Sequence, residues 1–296
     1  MKQIVIMFII LAVGMLCYKV KFITKEGSKQ LSTVALQVVN PVLIFMSYQK
    51  EYNSRLLKGL LWAFLLSAIS FAVTILLSYL LIGKNNPDKA VERFAVVYSN
   101  CGFIGIPLVN GIYGSDGVLY LTAYITLFNL LVWTHGYMMM KGERDFSSLV
   151  KALRSPSVIA VFVGLVFYVA NIRLPEVPAQ AFQYIADMNT PVAMLVAGAT
   201  CAQTNLLKAL KNLRIYIVSI FRLLVVPLVS FGICFLLGAP KSVLMTVTIA
   251  SACPVAATGT MFAIQMDRNP QKCSELFAVT TLLSALTLPA LTSLLG

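Results

Sequence analysis

Tyr98-Ser99-Asn100-Cys101-Gly102-Phe103-Ile104-Gly105-Ile106-Pro107, continuing through Leu108-Val109-Asn110-Gly111, is the stretch that decides the fold. It lies in an apolar run long enough to cross a bilayer, yet it holds three glycines, a proline and two asparagines. Glycine and proline free backbone N–H and C=O groups, which are costly in hydrocarbon unless protein, water or ligand satisfies them. A second such stretch, Ser251-Ala252-Cys253-Pro254-Val255-Ala256-Ala257-Thr258-Gly259-Thr260, follows about half a chain later. Paired interrupted spans in corresponding places are the sequence pattern of a transporter's substrate site.

The rest of the chain fits a membrane setting. Apolar residues make up 59% and charged residues 11% of the 296, and the mean hydropathy is +0.85, so most of the chain is suited to lipid. No polar stretch approaches domain size. The first apolar run, 3–20, is long for a signal-peptide core and has no A-x-A cleavage site, so it is expected to be retained as a span. Ten spans are expected, at about 3–20, 31–49, 57–82, 94–113, 117–140, 156–172, 179–202, 215–237, 241–266 and 274–295. Of the 23 Lys and Arg residues, sixteen fall in one set of alternate loops and six in the other, with Arg222 inside a span. The positive-inside rule then puts the basic loops in the cytoplasm and both termini outside, in a multi-pass protein of the cell membrane. The net charge of +12 is thereby a matter of topology, and nucleic acid is not expected as a partner. The lipid bilayer is. Six scattered cysteines without a C-x-x-C pair, and a single histidine, give no metal site.

The two halves echo each other. Asn40-Pro41 in the second span matches Asn189-Thr190-Pro191 in the seventh, with prolines 150 residues apart. Pairing Pro107 with Pro254 gives an offset of 147, and pairing Ser99 and Cys101 with Ser251 and Cys253 gives 152; both remain open. Five spans per half require the copies to insert with opposite orientation. The fold class expected is an all-α membrane protein of ten transmembrane helices in two inverted five-helix repeats, residues 1–140 and 156–296, joined by a cytoplasmic linker at 141–155. Spans four and nine are the interrupted, crossing helices. Pro107 and Pro254 each suit the first turn of a new half-helix, where a missing N–H costs nothing.

The run N-x-G-F-x-G-x-P from Asn100 to Pro107, the proline motifs of spans two and seven, and Ala252-Cys253-Pro254-x-Ala256 resemble the auxin efflux carrier family over essentially the whole chain. Its relatives include plant PIN proteins and bacterial carriers of malonate and other organic acids. The resemblance implies a scaffold of spans one, two, six and seven and a moving transport unit of spans three to five and eight to ten. It also suggests a homodimer through the scaffold spans. The long central loop of the plant proteins is absent, so control by phosphorylation there is not carried over. The plant break has an Asn-Pro-Asn character, whereas Ser99-Asn100-Cys101-Gly102 stands here; Asn100 carries over and auxin itself does not.

Each break is expected to present the N-terminus of its second half-helix, with unpaired N–H groups and a positive dipole end, near Gly105–Pro107 and Pro254–Ala256. The first halves bring negative ends, so dipoles alone do not settle the sign of the ligand. The acids decide, because Asp and Glu are read as almost all in loops, Glu92 and Glu275 among them. A small organic anion is favoured over a cation. The candidate binding residues are Asn100, Ser99, Gly102, Gly105, Pro107, Ser251, Cys253, Pro254, Thr258 and Asn129, with helix–helix hydrogen bonding as the plainer job for Asn129.

Asp187 and Arg222 are read as the one buried acid and the one buried base. Each lies roughly 12 Å in from an opposite face, within reach of one another if their helices are neighbours. A structural pair or interfacial snorkelling, and a proton-coupling acid or substrate counter-charge, are both open readings. His135, between Trp133 and Tyr137, is read as an interfacial anchor. No G-x-S-x-G serine motif, zinc ligand set or aspartyl dyad is present, so an enzyme is not expected, nor a cofactor. The function expected is a secondary transporter of a small organic anion, a carboxylate, an auxin-like acid or a dicarboxylic acid, working by alternating access at the crossover of spans four and nine. A membrane receptor or a passive channel using the same broken-helix site is the alternative.

Overall fold

The computed structural model describes residues 2–142 and 153–295, apart from the side chains of residues 206 and 207. The greater part of the expected linker, 143–152, lies outside the described residues. The described chain is all helical: α1 (Lys2–Lys19), α2 (Lys25–Ser47), α3 (Ser54–Leu81), α4 (Lys89–Val97), α5 (Cys101–Lys141), α6 (Pro156–Val169), α7 (Glu176–Ala202), α8 (Leu213–Leu236), α9 (Lys241–Ala252), α10 (Thr258–Gln265) and α11 (Pro270–Leu295). A single turn of helix, Leu206–Ala209, precedes α8. Seven of these, α1, α2, α3, α5, α7, α8 and α11, are long and apolar enough to cross a membrane. The helix α6 and the helix α9 are apolar but shorter. Leu61, Leu80, Ile264 and Leu286 are among many large apolar side chains left exposed, as a lipid-facing surface requires.

Prolines shape the helices by a common rule. A proline ring crowds the carbonyl four residues back and offers no N–H, so the helix relaxes by taking in one extra residue. Such π turns occupy Ala35–Val39, Cys101–Gly105 and Phe221–Val225, immediately before Asn40-Pro41, Ile106-Pro107 and Val226-Pro227. In each case the N–H before the proline reaches five residues back: Asn40 to Ala35, Ile106 to Cys101 and Val226 to Phe221. A fourth π turn, Val132–Gly136, has no proline and carries His135. Long α5 is itself two pieces, because Gly114 has φ 61° and ψ −155°. That backbone region is open to glycine alone at little cost, and the helix is kinked there.

Two sets of helices pack closely. The helix α1 lies along the second half of α7, and the second half of α2 packs on α6 and on the first half of α7. The other set joins α3, α5, α8 and α9, with α10 on α11. The α1–α7 approach is close because both helices offer glycine. A Cβ on Gly14 would stand 2.4 Å from the Leu195 carbonyl oxygen, and one on Gly198 would stand 2.0 Å from that of Leu11. Between the two sets, Tyr48 Oη meets Thr122 Oγ1 at 2.6 Å, and Lys50 Nζ pairs with Asp116 at 2.6 Å.

Candidate functional site: the crossing of two interrupted helices

The two odd stretches of sequence meet. The helix α4 stops at Val97, and α9 stops at Ala252 because Cys253, at φ −59° and ψ 150°, precedes Pro254 and is driven out of the helical region. The freed backbones then pair with each other as a single antiparallel bridge between Ser99 and Val255. The Asn100 N–H donates to the Pro254 carbonyl at 2.7 Å, and the Ala256 N–H donates to the Tyr98 carbonyl at 2.9 Å. The Val255 N–H is taken by Thr280 Oγ1 of α11 at 3.1 Å. Two interrupted stretches of the chain thus satisfy amides and carbonyls of one another, which is how irregular backbone is tolerated in a bilayer.

The breaks differ in register from both expected offsets. The first halves end at Val97 and Ala252, 155 residues apart, not 147 or 152. The second halves also begin elsewhere than expected. On one side Asn100 is the N-cap, its Oδ1 accepting from the Phe103 N–H at 3.4 Å, and the helix opens at Cys101. Pro107 therefore lies inside the helix, about 10 Å along the axis from Asn100. On the other side Pro254 is part of the bridge, and α10 opens only at Thr258. The proline motifs misled because one proline relieves a π turn and the other ends a helix.

Around the bridge stand Ser99, Asn100, Gly102, Gly105, Ser251, Cys253 and Pro254, with Thr258 at the start of α10. Gly105 is the close approach, since a Cβ there would sit 3.4 Å from Cys253 Sγ. Asn100 is 5% exposed, and its Nδ2 is buried with no hydrogen-bond partner; the Thr258 hydroxyl oxygen is in the same state. The leading N–H groups of Cys101 and Gly102 precede the first intrahelical bonds, so donors gather at this helix end. Asn129 does not join them, its Nδ2 being given to the Ile125 carbonyl of its own helix at 2.9 Å.

Arg222 comes from the π turn of α8 and is 0% exposed. Its Nε donates to the Cys253 carbonyl at 3.0 Å, its Nη1 to those of Val96 at 2.7 Å and Val97 at 3.3 Å, and its Nη2 to that of Ser251. Val96, Val97 and Ser251 lie in the last turns of α4 and α9 and Cys253 just beyond α9, so these carbonyls have no partner within the helices. The Asp187–Arg222 pair is not formed. Asp187 is exposed, accepts from Gln183 Nε2 at 2.7 Å, and belongs to the half of α7 that packs on α2.

The acids are placed differently from the sequence reading. Glu92 is not in a loop but in α4, 1% exposed, where Arg214 Nε contacts it at 2.9 and 3.0 Å, Asn86 Nδ2 at 2.7 Å and Lys272 Nζ at 3.7 Å. Glu275 is buried in α11 and accepts from Gln271 at 2.9 Å. Arg93 and Lys272 are buried as well, so Arg222 is not the one buried base. Glu92 stands five residues before the end of α4, about 7.5 Å along its axis, with its charge compensated by Arg214 and Lys272.

Three further groups reach the crossing by contacts that sequence position alone does not reveal. Tyr98, the residue entering the break, holds His135 Nδ1 at 2.9 Å through its hydroxyl, so His135 is tied to the break. Thr280 has no sequence signal beyond a hydroxyl in an apolar span. Asn40 and Asn189 were visible as proline-flanked motifs, but only the structure joins them, Asn189 Nδ2 donating to Asn40 Oδ1 at 2.5 Å. Asn40 Nδ2 faces Gly102, 3.6 Å from where a Cβ would stand, and Asn189 Oδ1 is buried without a partner. A double-mutant cycle of Asn40→Ala and Asn189→Ala, read by thermal melting in detergent, is expected to give a coupling of about 0.6–2 kcal/mol. Additive melting shifts would mean the two amides do not support each other.

Comparison with known proteins places the chain in a transporter family. A family model described as membrane transport protein matches residues 1–146 and 144–292. An uncharacterized transporter of Methanothermobacter thermautotrophicus is 25% identical over 273 residues, covering 90% of this chain and 88% of its own. A second, from Methanocaldococcus jannaschii, is 24% identical over 297 residues, covering 95% and 94%. The chain belongs to the membrane transport protein family, the auxin efflux carrier and PIN-like group, and is a multi-pass membrane protein of a transporter family.

Proposed function

We propose that the protein is a secondary transporter that carries a small organic anion by alternating access, with the Ser99–Val255 crossing as its binding site. The observation that carries this reading is the crossing itself: two interrupted helices bridged backbone to backbone, with Asn100 Nδ2 buried beside them and left unbonded. A carboxylate accepts hydrogen bonds only, and here it would meet amide donors at a positive helix end. No uncompensated carboxylate of the described residues lies in either break, which disfavours a cation.

The ten-pass inverted repeat belongs to the same proposal. Counting α4 with the first piece of α5 as one pass, the rest of α5 as the next, and α9 with α10 as another, the helices make ten passes. The packing of α1 and α2 with α6 and α7 supports a scaffold distinct from a transport unit that contains both breaks. With the basic loops in the cytoplasm, both termini face outward. Counterflow of a labelled carboxylate in proteoliposomes is the test. Exchange that accelerates with unlabelled carboxylate on the far side is expected; saturable binding without flux would favour a receptor, and flux without counterflow a channel.

A further inference from the structure

The two halves of the crossing carry opposite fields, and something must decide between them. The ends of α4 and α9 bring carbonyls, equivalent to roughly half a negative charge each. The starts of α5 and α10 bring amides of roughly equal and opposite weight. Left alone, such a site has no preference of sign. Arg222 breaks the tie, for its guanidinium is bonded to the carbonyl ends of both first halves at once, at Val96 and Val97 of α4 and at Ser251 of α9 and Cys253 just beyond it. Its single positive charge offsets roughly the sum of the two negative ends.

We infer that Arg222 sets the charge preference of the crossing by cancelling the negative ends of α4 and α9, leaving the positive starts of α5 and α10 to select an anion. This rests on the proposal that the crossing is the binding site. Arg222 is a positioning residue and does not touch the ligand, since its bonded nitrogens face carbonyls and the side chain is 0% exposed. Arginine suits the task. Its planar fork reaches carbonyls on two chains at once, and it keeps its proton when buried where lysine readily loses it. Glu92, the acid on α4, cannot undo the effect because Arg214 and Lys272 already hold it.

The test is the ratio of affinities for a carboxylate and for its neutral amide, measured by calorimetry on the purified full chain with acetate, succinate and phenylacetate and the matching amides. Wild type is expected to prefer the carboxylate by about tenfold or more. Arg222→Gln is expected to bring that ratio close to one while amide affinity stays within about threefold. A merely structural role would weaken both ligands alike and leave the ratio in place, which would overturn the inference. Should Arg222→Gln not fold, Arg222→Met decides, since it keeps an unbranched side chain and removes the charge. Its ratio is likewise expected close to one, and a methionine variant with the wild-type ratio overturns the inference. Failure of wild type to bind any carboxylate would instead overturn the reading of the site itself.

Discussion

Asn100→Ala is expected to weaken carboxylate binding about 10- to 100-fold, the worth of one hydrogen bond to a charged group. The side chain has two jobs. Its oxygen caps the helix by accepting from the Phe103 N–H, and its nitrogen is buried with nothing to donate to. Asn100→Ser separates them, because serine caps a helix about as well as asparagine but offers no amide N–H in that place. The serine variant should melt within about 1 kcal/mol of wild type and still bind poorly. If it binds as wild type does, the free nitrogen is not a ligand contact. Asn100→Asp should be worse than alanine, since it sets a negative charge where an anion must sit. The bridge bond from the Asn100 N–H to the Pro254 carbonyl is backbone and survives all three changes.

Gly198→Ala is expected to cost about 1–3 kcal/mol of stability or more, as forced overpacking does. The added methyl carbon would stand 2.0 Å from the Leu11 carbonyl oxygen and 2.8 Å from the Met15 nitrogen, both backbone, so no side chain can swing aside. The helices α1 and α7 must part, and the set they hold together loosens. Gly232→Ala in α8 is the control. Nothing lies within 4 Å of a Cβ there, and the better helix former should leave stability unchanged or raise it by up to about 1 kcal/mol. Equal melting shifts for the two variants would show that the α1–α7 contact is not close-packed. The pair is best read by fluorescence-detected melting of the detergent-solubilised protein.

Much of this molecule was legible in its residues because a membrane allows so few solutions. Apolar runs and the low charge gave the helical membrane class. Glycine, proline and asparagine inside such runs gave the place of the breaks, and the structure interrupts the chain there, between Val97 and Cys101 and between Ala252 and Thr258. Local geometry was less legible. Proline has two effects on a helix, ending it at Ala252 ahead of Pro254 and widening it before Pro107, and the residue type alone does not say which.

Long-range partners were least legible. Matching Asp187 with Arg222 by depth ignores the azimuth of a helix. One points away from the core and the other serves four carbonyls. The lesson of Arg222 is general for interrupted helices, where a buried cation has ready partners in uncapped carbonyls and needs no acid. Glu92 and Lys272 were hidden by the opposite effect: charged residues near span ends look like loop residues until three helices close over them.

Titration of purified wild type and Asn100→Ala with a panel of mono- and dicarboxylates tests the account most directly. At least one carboxylate is predicted to bind wild type saturably, and the alanine variant to bind it about tenfold or more weakly. Equal binding by the two proteins, or no carboxylate binding to wild type, would contradict an anion site at the crossing.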